Sequence, residues 1–242
     1  NAGRSFVNRF YTPDSIVFFS MGRSTFSRIV KLAEATLGSL ALPSAVRNRC
    51  VPEAFVPVSQ RVHKDTYQAH VLLGGRAYNM FDEKRTILYL LNNLMGGPGM
   101  NSRLNVVLRE KHGLVYNVES NVTTYTDTGL YNIYFGTDPK NMEKSLRLVN
   151  AEIARIRNTK LTSSQLAAAK KQLIGQLGVS GDNKEGTFLG LGKSFLHYSR
   201  YDTLPEVFHR IEKVTAEELL EVANEVFDPA QSFSLIFAPD SL

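Results

Sequence analysis

Several features are scarce in this 242-residue chain, and each scarcity removes a class of function. A single cysteine, Cys50, excludes an intramolecular disulfide and any cysteine-based zinc site. It fits a reducing compartment, which favours the cytoplasm. No apolar run reaches the roughly 18 residues that cross a bilayer, so no membrane span is expected, and no signal peptide is visible. The chain opens Asn1-Ala2-Gly3-Arg4 without a methionine, which reads as a processed chain or an excised fragment. Charge of one sign accumulates nowhere: 28 Lys and Arg against 23 Asp and Glu leave a net +5 with no polybasic run, which argues against a nucleic-acid partner. The familiar catalytic signatures are missing too, with no H-E-x-x-H, H-x-x-E-H, G-x-S-x-G or kinase motif.

What is present is ordinary globular composition, 43% hydrophobic and 21% charged, enough for one large domain or one domain plus a remnant. The first residues read as a short helix, a turn at Thr12-Pro13-Asp14 and a buried strand over Ile16 to Phe19. A helix is expected over Thr25 to Thr36. Prolines 43, 52 and 57, with no periodicity between Ser39 and Val56, mark a linker.

Beyond it the pattern is regular. Two strands precede a helix over Asp82 to Met95, the run Gly96-Gly97-Pro98-Gly99-Met100 breaks that helix, and Asn101 or Ser102 caps a short helix through Leu108. Alternating segments on either side of Asp127-Thr128-Gly129 predict a hairpin. Asp138-Pro139 opens a further helix, and Thr162 to Gln165 and Thr215 to Glu218 are capping boxes for two more. Strands early and helices late predict an α+β fold, a mostly antiparallel or mixed sheet with helices packed on one face.

Four candidate sites follow from the residues. Gly192-Lys193-Ser194 ends like a phosphate-binding loop, but position 187 is threonine where that motif needs glycine, and no strand precedes it. Small residues that let a helix pack closely are the simpler reading. The glycine run before Asn101 could present free amides at a helix start. The five histidines, at 63, 70, 112, 197 and 209, offer no pair at helical ligand spacing; His63 and His70 could face each other across neighbouring strands. Arg109 and Tyr116 lie seven residues apart, at a helix end and a strand start, with Gly113 between them. Arginine offers fixed donors for a carbonyl, and tyrosine a neutral donor for a developing oxyanion. The plain alternative is an ion pair between Arg109 and Glu110, and a tyrosine half buried in a sheet.

The order of these segments resembles the C-terminal half of the pitrilysin, insulysin and mitochondrial processing peptidase family of zinc metallopeptidases, in its small bacterial style. The glycine loop, Ser102-Arg103-Leu104, Arg109-Glu110-Lys111, Gly113-Leu114 and Tyr116 match in order and spacing, and the opening residues resemble the end of that family's N-terminal half. The resemblance implies a protein of two similar α+β halves around a chamber, with zinc held on an H-x-x-E-H motif in the first half. It implies that Arg109 and Tyr116 hold the substrate backbone and stabilise the tetrahedral intermediate. Residues 1–38 are then a remnant of the first half, 39–57 a linker and 58–242 the C-terminal domain.

No metal ligands are expected in this chain; zinc would belong to the intact protein, and the fragment alone is expected to be inactive. The expected partners are peptide substrates, the N-terminal half or a homologous subunit, and a second copy drawn to an exposed strand edge. The missing zinc motif keeps a non-catalytic, substrate-binding or scaffolding relative open beside the enzyme.

Overall fold

A computed structural model describes residues 1–39, 42 and 52–239. Cys50 and most of the expected linker lie outside the described residues. The chain divides into two units, one of residues 1–50 and 177–204, the other of residues 51–176 and 205–242.

The larger unit is built on a five-stranded sheet: β1 (Ser59–His63), β2 (Ala69–Ala77), β3 (Val115–Thr124), β4 (Gly129–Thr137) and β5 (Ser232–Ala238), in the order β1-β5-β2-β4-β3. β1 runs parallel to β5 and every other pair is antiparallel. Along β4, Tyr131, Ile133 and Phe135 are buried while Leu130, Asn132 and Tyr134 are only half-buried. This period of two sends alternate side chains to opposite faces, so the sheet has one core face and one open face.

Helices cover the core face. α3 (Arg85–Gly96), α4 (Met142–Asn158) and α8 (Ala216–Val226) pack together and against β2 and β3. Leu88, Leu91, Met95, Val149, Ile156 and Leu219 come from these helices and Val71, Ile133 and Phe135 from the strands, all of them almost fully buried. Each such side chain contributes about 1.5–3 kcal/mol by leaving water. α5 (Ser163–Gly181) and α7 (Leu204–Lys213) complete the helical order around that core, with α6 (Lys184–Tyr198) between them in sequence.

Local signals are realised at the helix starts. Thr215 Oγ1 accepts from the Glu218 amide at 3.2 Å while Glu218 Oε2 accepts from the Thr215 amide at 2.8 Å. Thr162 and Gln165 exchange the same pair of bonds at 3.0 and 3.3 Å. Asp138 Oδ1 accepts from the Lys140 amide, but Pro139–Asn141 forms one 3₁₀ turn before α4 begins.

The smaller unit holds α1 (Ala2–Phe10), α2 (Phe26–Leu37) and α6. Ile16–Phe19 is extended but is not a strand, because no strand of the described residues lies beside it to take its backbone hydrogen bonds. Its side chains are largely exposed rather than buried. That removes the strand edge expected to draw copies together. Phe19 instead packs at a tilt against Phe188, ring centroids 4.4 Å apart, and sits so close to Gly192 that a Cβ there would meet its ring at 2.4 Å. Gly192 is therefore a packing glycine within α6, and α5, not a strand, precedes it.

Candidate functional site

The glycine run after α3 is shaped by contact with β3. A Cβ on Gly96 would stand 2.7 Å from the Ser120 amide nitrogen, so only glycine lets the helix end approach the strand this closely. Asn92, one turn earlier, seals the contact: its Nδ2 donates to the Ser120 carbonyl at 2.9 Å and its Oδ1 accepts from Ser120 Oγ at 2.6 Å. On the other side of the loop Asn101 Nδ2 donates to Gln172 Oε1 at 2.9 Å.

Ser102 is buried, but its hydroxyl accepts from the Asn105 side chain at 2.8 Å and leaves the next helix without a side-chain cap. That helix departs from the expected α-helix. Asn105–Lys111 is a π-helix, whose wider turn adds a residue between Ser102 and Gly113. Leu104 and Leu108 anchor it in the core, and Arg103, three-quarters or more buried, reaches Glu152 of α4 at 3.8 Å.

The π-helix closes on Gly113. With φ at +57°, Gly113 turns the chain into the left-handed region, its amide donates to the Arg109 carbonyl at 2.9 Å, and the Leu114 amide donates to the Leu108 carbonyl at 2.8 Å. The two bonds nest as in a glycine C-cap, each spanning one residue more than usual because the turn is wide. Thr137 Oγ1 then donates to the Leu114 carbonyl at 2.7 Å and locks the exit to β4. β3 bulges at once: Val115 pairs with Thr137 and Val118 with Phe135, so Tyr116 and Asn117 together oppose Gly136.

Val115 and Val118 point into the core, so Tyr116 leaves from the open face. It is 88% exposed, where a half-buried ring was the plain expectation. Arg109 is half exposed and its Nε lies 3.7 Å from Glu110 Oε1, as the plain reading had it. Among the described residues no hydrogen bond joins Arg109 to Tyr116. The turn brings both to the same end of β3, as two donors with little structural work to do.

The histidines resolve differently. His63 and His70 are not on neighbouring strands, because β5 lies between β1 and β2, pairing Ala238 with His63 and Phe237 with His70. The early strands could not reveal that the last strand of the chain inserts between them. His70 instead bonds through Nδ1 to the Tyr134 hydroxyl at 2.8 Å, on the open face, a pair that the sequence reading passes over. Strict alternation along β2 and β4 was the signal; register was the missing piece.

Among the described residues no three His, Cys, Asp or Glu side chains converge on a point where a metal ion would sit. These described groups do not fit a zinc ion.

An open-faced mixed sheet backed by helices defines an α+β domain of the kind seen in solved proteases. The chain superimposes on a peptidase M16 inactive domain from Pseudomonas fluorescens with TM-score 0.78 at 21% identity, over 90% of this chain and 52% of that one. A protease from Helicobacter pylori matches with TM-score 0.73 at 20% identity, over 90% and 53%. The family model of the peptidase M16 inactive domain matches residues 3–173, and the chain belongs to that family, the one its motif order resembles. An uncharacterized zinc protease of Bacillus subtilis is 29% identical over 96% of this chain and 56% of its own length. An uncharacterized zinc protease of Streptomyces coelicolor is 30% identical over 96% and 52%. The chain thus spans about half the length of the curated relatives it matches.

Proposed function

We propose that this chain is the substrate-enclosing, zinc-free half of a zinc-dependent endopeptidase. Residues 1–38 then belong with the preceding half, 39–57 are the link, and 58–242 form the opposing wall. The preceding half supplies the metal and the activated water; this half supplies donors. Arg109 holds a substrate carbonyl by a charged, multidentate contact, and the Tyr116 hydroxyl donates to the oxyanion as it forms. Zinc ligands are assigned to the other half, since among the described residues no three ligating side chains converge on one point.

The observation that carries this reading is Tyr116 itself: a bulge and a glycine-closed π-helix hold a large ring almost wholly in solvent, where it adds little to stability. Similarity to proteins named zinc proteases over half their length supports the division of labour. In the full-length protein, Tyr116→Phe should lower kcat on a peptide by about 10² to 10³, the cost of one oxyanion donor, with little change in KM. Arg109→Ala should lower kcat/KM comparably. Unchanged hydrolysis in both variants would sink the assignment. An H-x-x-E-H motif in the residues preceding Asn1 separates this reading from a non-catalytic, substrate-binding subunit, which would lack it.

A further inference from the structure

The open face of the sheet is divided chemically. Towards β5 it is apolar, with Leu72, Phe233, Leu235 and Phe237 in adjacent positions. Towards β3 it is polar, and one corner is built rather than scattered. Gly136 of β4 sits between His70 of β2 and the Tyr116–Asn117 bulge of β3 in one cross-strand row. Strands lie about 4.8 Å apart, so His70 and Tyr116 flank a trough about 10 Å wide whose middle strand has no side chain at that point.

The trough has a defined lining. A Cβ on Gly136 would stand 3.0 Å from Gln68 Oε1 and 3.8 Å from His70 Nδ1, so the Gln68 carboxamide lies over the glycine and lines the trough floor beside the imidazole. Tyr134 forms the wall one row along. Its hydroxyl meets His70 Nδ1 at 2.8 Å and its ring lies within 14° of parallel to the imidazole, with centroids 6.1 Å apart. With the tyrosine donating to Nδ1, the imidazole carries its proton on Nε2, and the nitrogen left unengaged by this bond is a donor.

We propose that His70, oriented by Tyr134, is a substrate-positioning residue whose Nε2–H donates to a backbone carbonyl of an extended peptide lying in the Gly136 trough. The peptide runs between His70 and Tyr116, so one carbonyl is held at His70 while another meets the donor at Tyr116. A neutral donor beside a carboxamide suits a main-chain carbonyl better than a charged side chain, and Glu119, opposite Tyr134 on the same face, disfavours an acidic one. The inference rests on the preceding assignment of Tyr116 and adds a second contact on the far side of the same trough.

The test is steady-state kinetics of the full-length protein on a quenched fluorescent peptide. His70 binds ground state and transition state alike, so His70→Ala should raise KM about three- to tenfold, the worth of one neutral hydrogen bond, with kcat nearly unchanged. His70→Gln, which keeps a donor, should recover most of the loss, and a merely structural histidine would not show that recovery. Tyr134→Phe removes one hydroxyl and leaves the ring, so it serves even where His70→Ala folds poorly; it should raise KM in the same direction. Unchanged KM in His70→Ala and Tyr134→Phe, beside a collapsed kcat in Tyr116→Phe, overturns this inference and leaves the role of Tyr116 standing. Full activity in all of these variants overturns both.

Discussion

Gly113 shows how one residue can set the site's geometry at small energetic cost. Its φ of +57° lies where a side chain clashes with its own backbone, yet a Cβ there would meet nothing within 4 Å. Gly113→Ala should therefore cost about 1 kcal/mol through backbone conformation alone, measured by urea denaturation. Its effect on activity should exceed its effect on stability, because Arg109 and Tyr116 stand on either side of the turn. Tyr116→Phe is the complement: its melting curve should coincide with the parent's while turnover falls, as its ring buries almost no surface. The spacing of Arg109 and Tyr116 was legible in the sequence, since residue types and a glycine are local information. The exposure of Tyr116 was not, because it depends on a bulge defined by Thr137 and Phe135 of the next strand.

At the scale of elements, two charge clusters hold helices to the sheet domain, and they differ in burial. Glu152 of α4, only 8% exposed, faces Arg103 at 3.8 Å and Arg155 at 3.1 Å. Burial holds the Arg103 pKa below its usual value, with Arg155 adding to the lowering and Glu152 offsetting only part of it. Glu152→Ala leaves that guanidinium without its counter-charge and should cost about 2–3 kcal/mol in chemical denaturation. Loosening the first turn before the π-helix, it should also weaken the site.

The second cluster is exposed: Lys84 Nζ meets Glu221 at 2.7 Å and Glu225 at 2.6 Å, and the Tyr78 hydroxyl donates to Glu225. Lys84, then Tyr78, holds the Glu225 carboxyl below the usual glutamate range. A depressed folded pKa adds stability above the unfolded value, about pH 4.3, and that stability is lost as pH falls through the folded value. Glu225→Gln should lower stability slightly at neutral pH, where the carboxylate's contribution is fully present, and flatten the acid limb below about pH 4.3. Capping boxes at Thr162 and Thr215 were legible because they are four-residue patterns. The π-helix was not, since its widened turn answers to the burial of Leu104 and Leu108 and to Gly113 beyond it, not to propensity.

For the molecule as a whole, the two units differ in what holds them. The fully buried apolar side chains of the described residues all lie in the larger unit, on the sheet and its helices. The smaller unit exposes Phe18, Met21, Phe26 and Phe195 around a cavity of about 1000 Å³. A region with few buried apolar side chains opens locally at little cost. Amide hydrogen exchange followed by mass spectrometry should show residues 1–39 exchanging far faster than β2 and β4. Equal protection across the chain would contradict this. The α+β class could be read in the grouping of strands before helices. The apolar run Ile16–Phe19 misled because composition reports a wish for burial, not the presence of a partner strand.

The order β1-β5-β2-β4-β3 has a consequence for how such a chain is made. The strand in contact with both β1 and β2 is β5, at residues 232–238, which is synthesised after every other described element. Until it emerges, β1 has no neighbour and one edge of β2 stays bare, so the nascent sheet is limited to β2, β4 and β3. Completion waits on a contact spanning most of the chain, which makes it slow. A truncation that removes β5 would thus leave one edge of β2 unsealed, with Leu72 at that edge open to pairing with another chain.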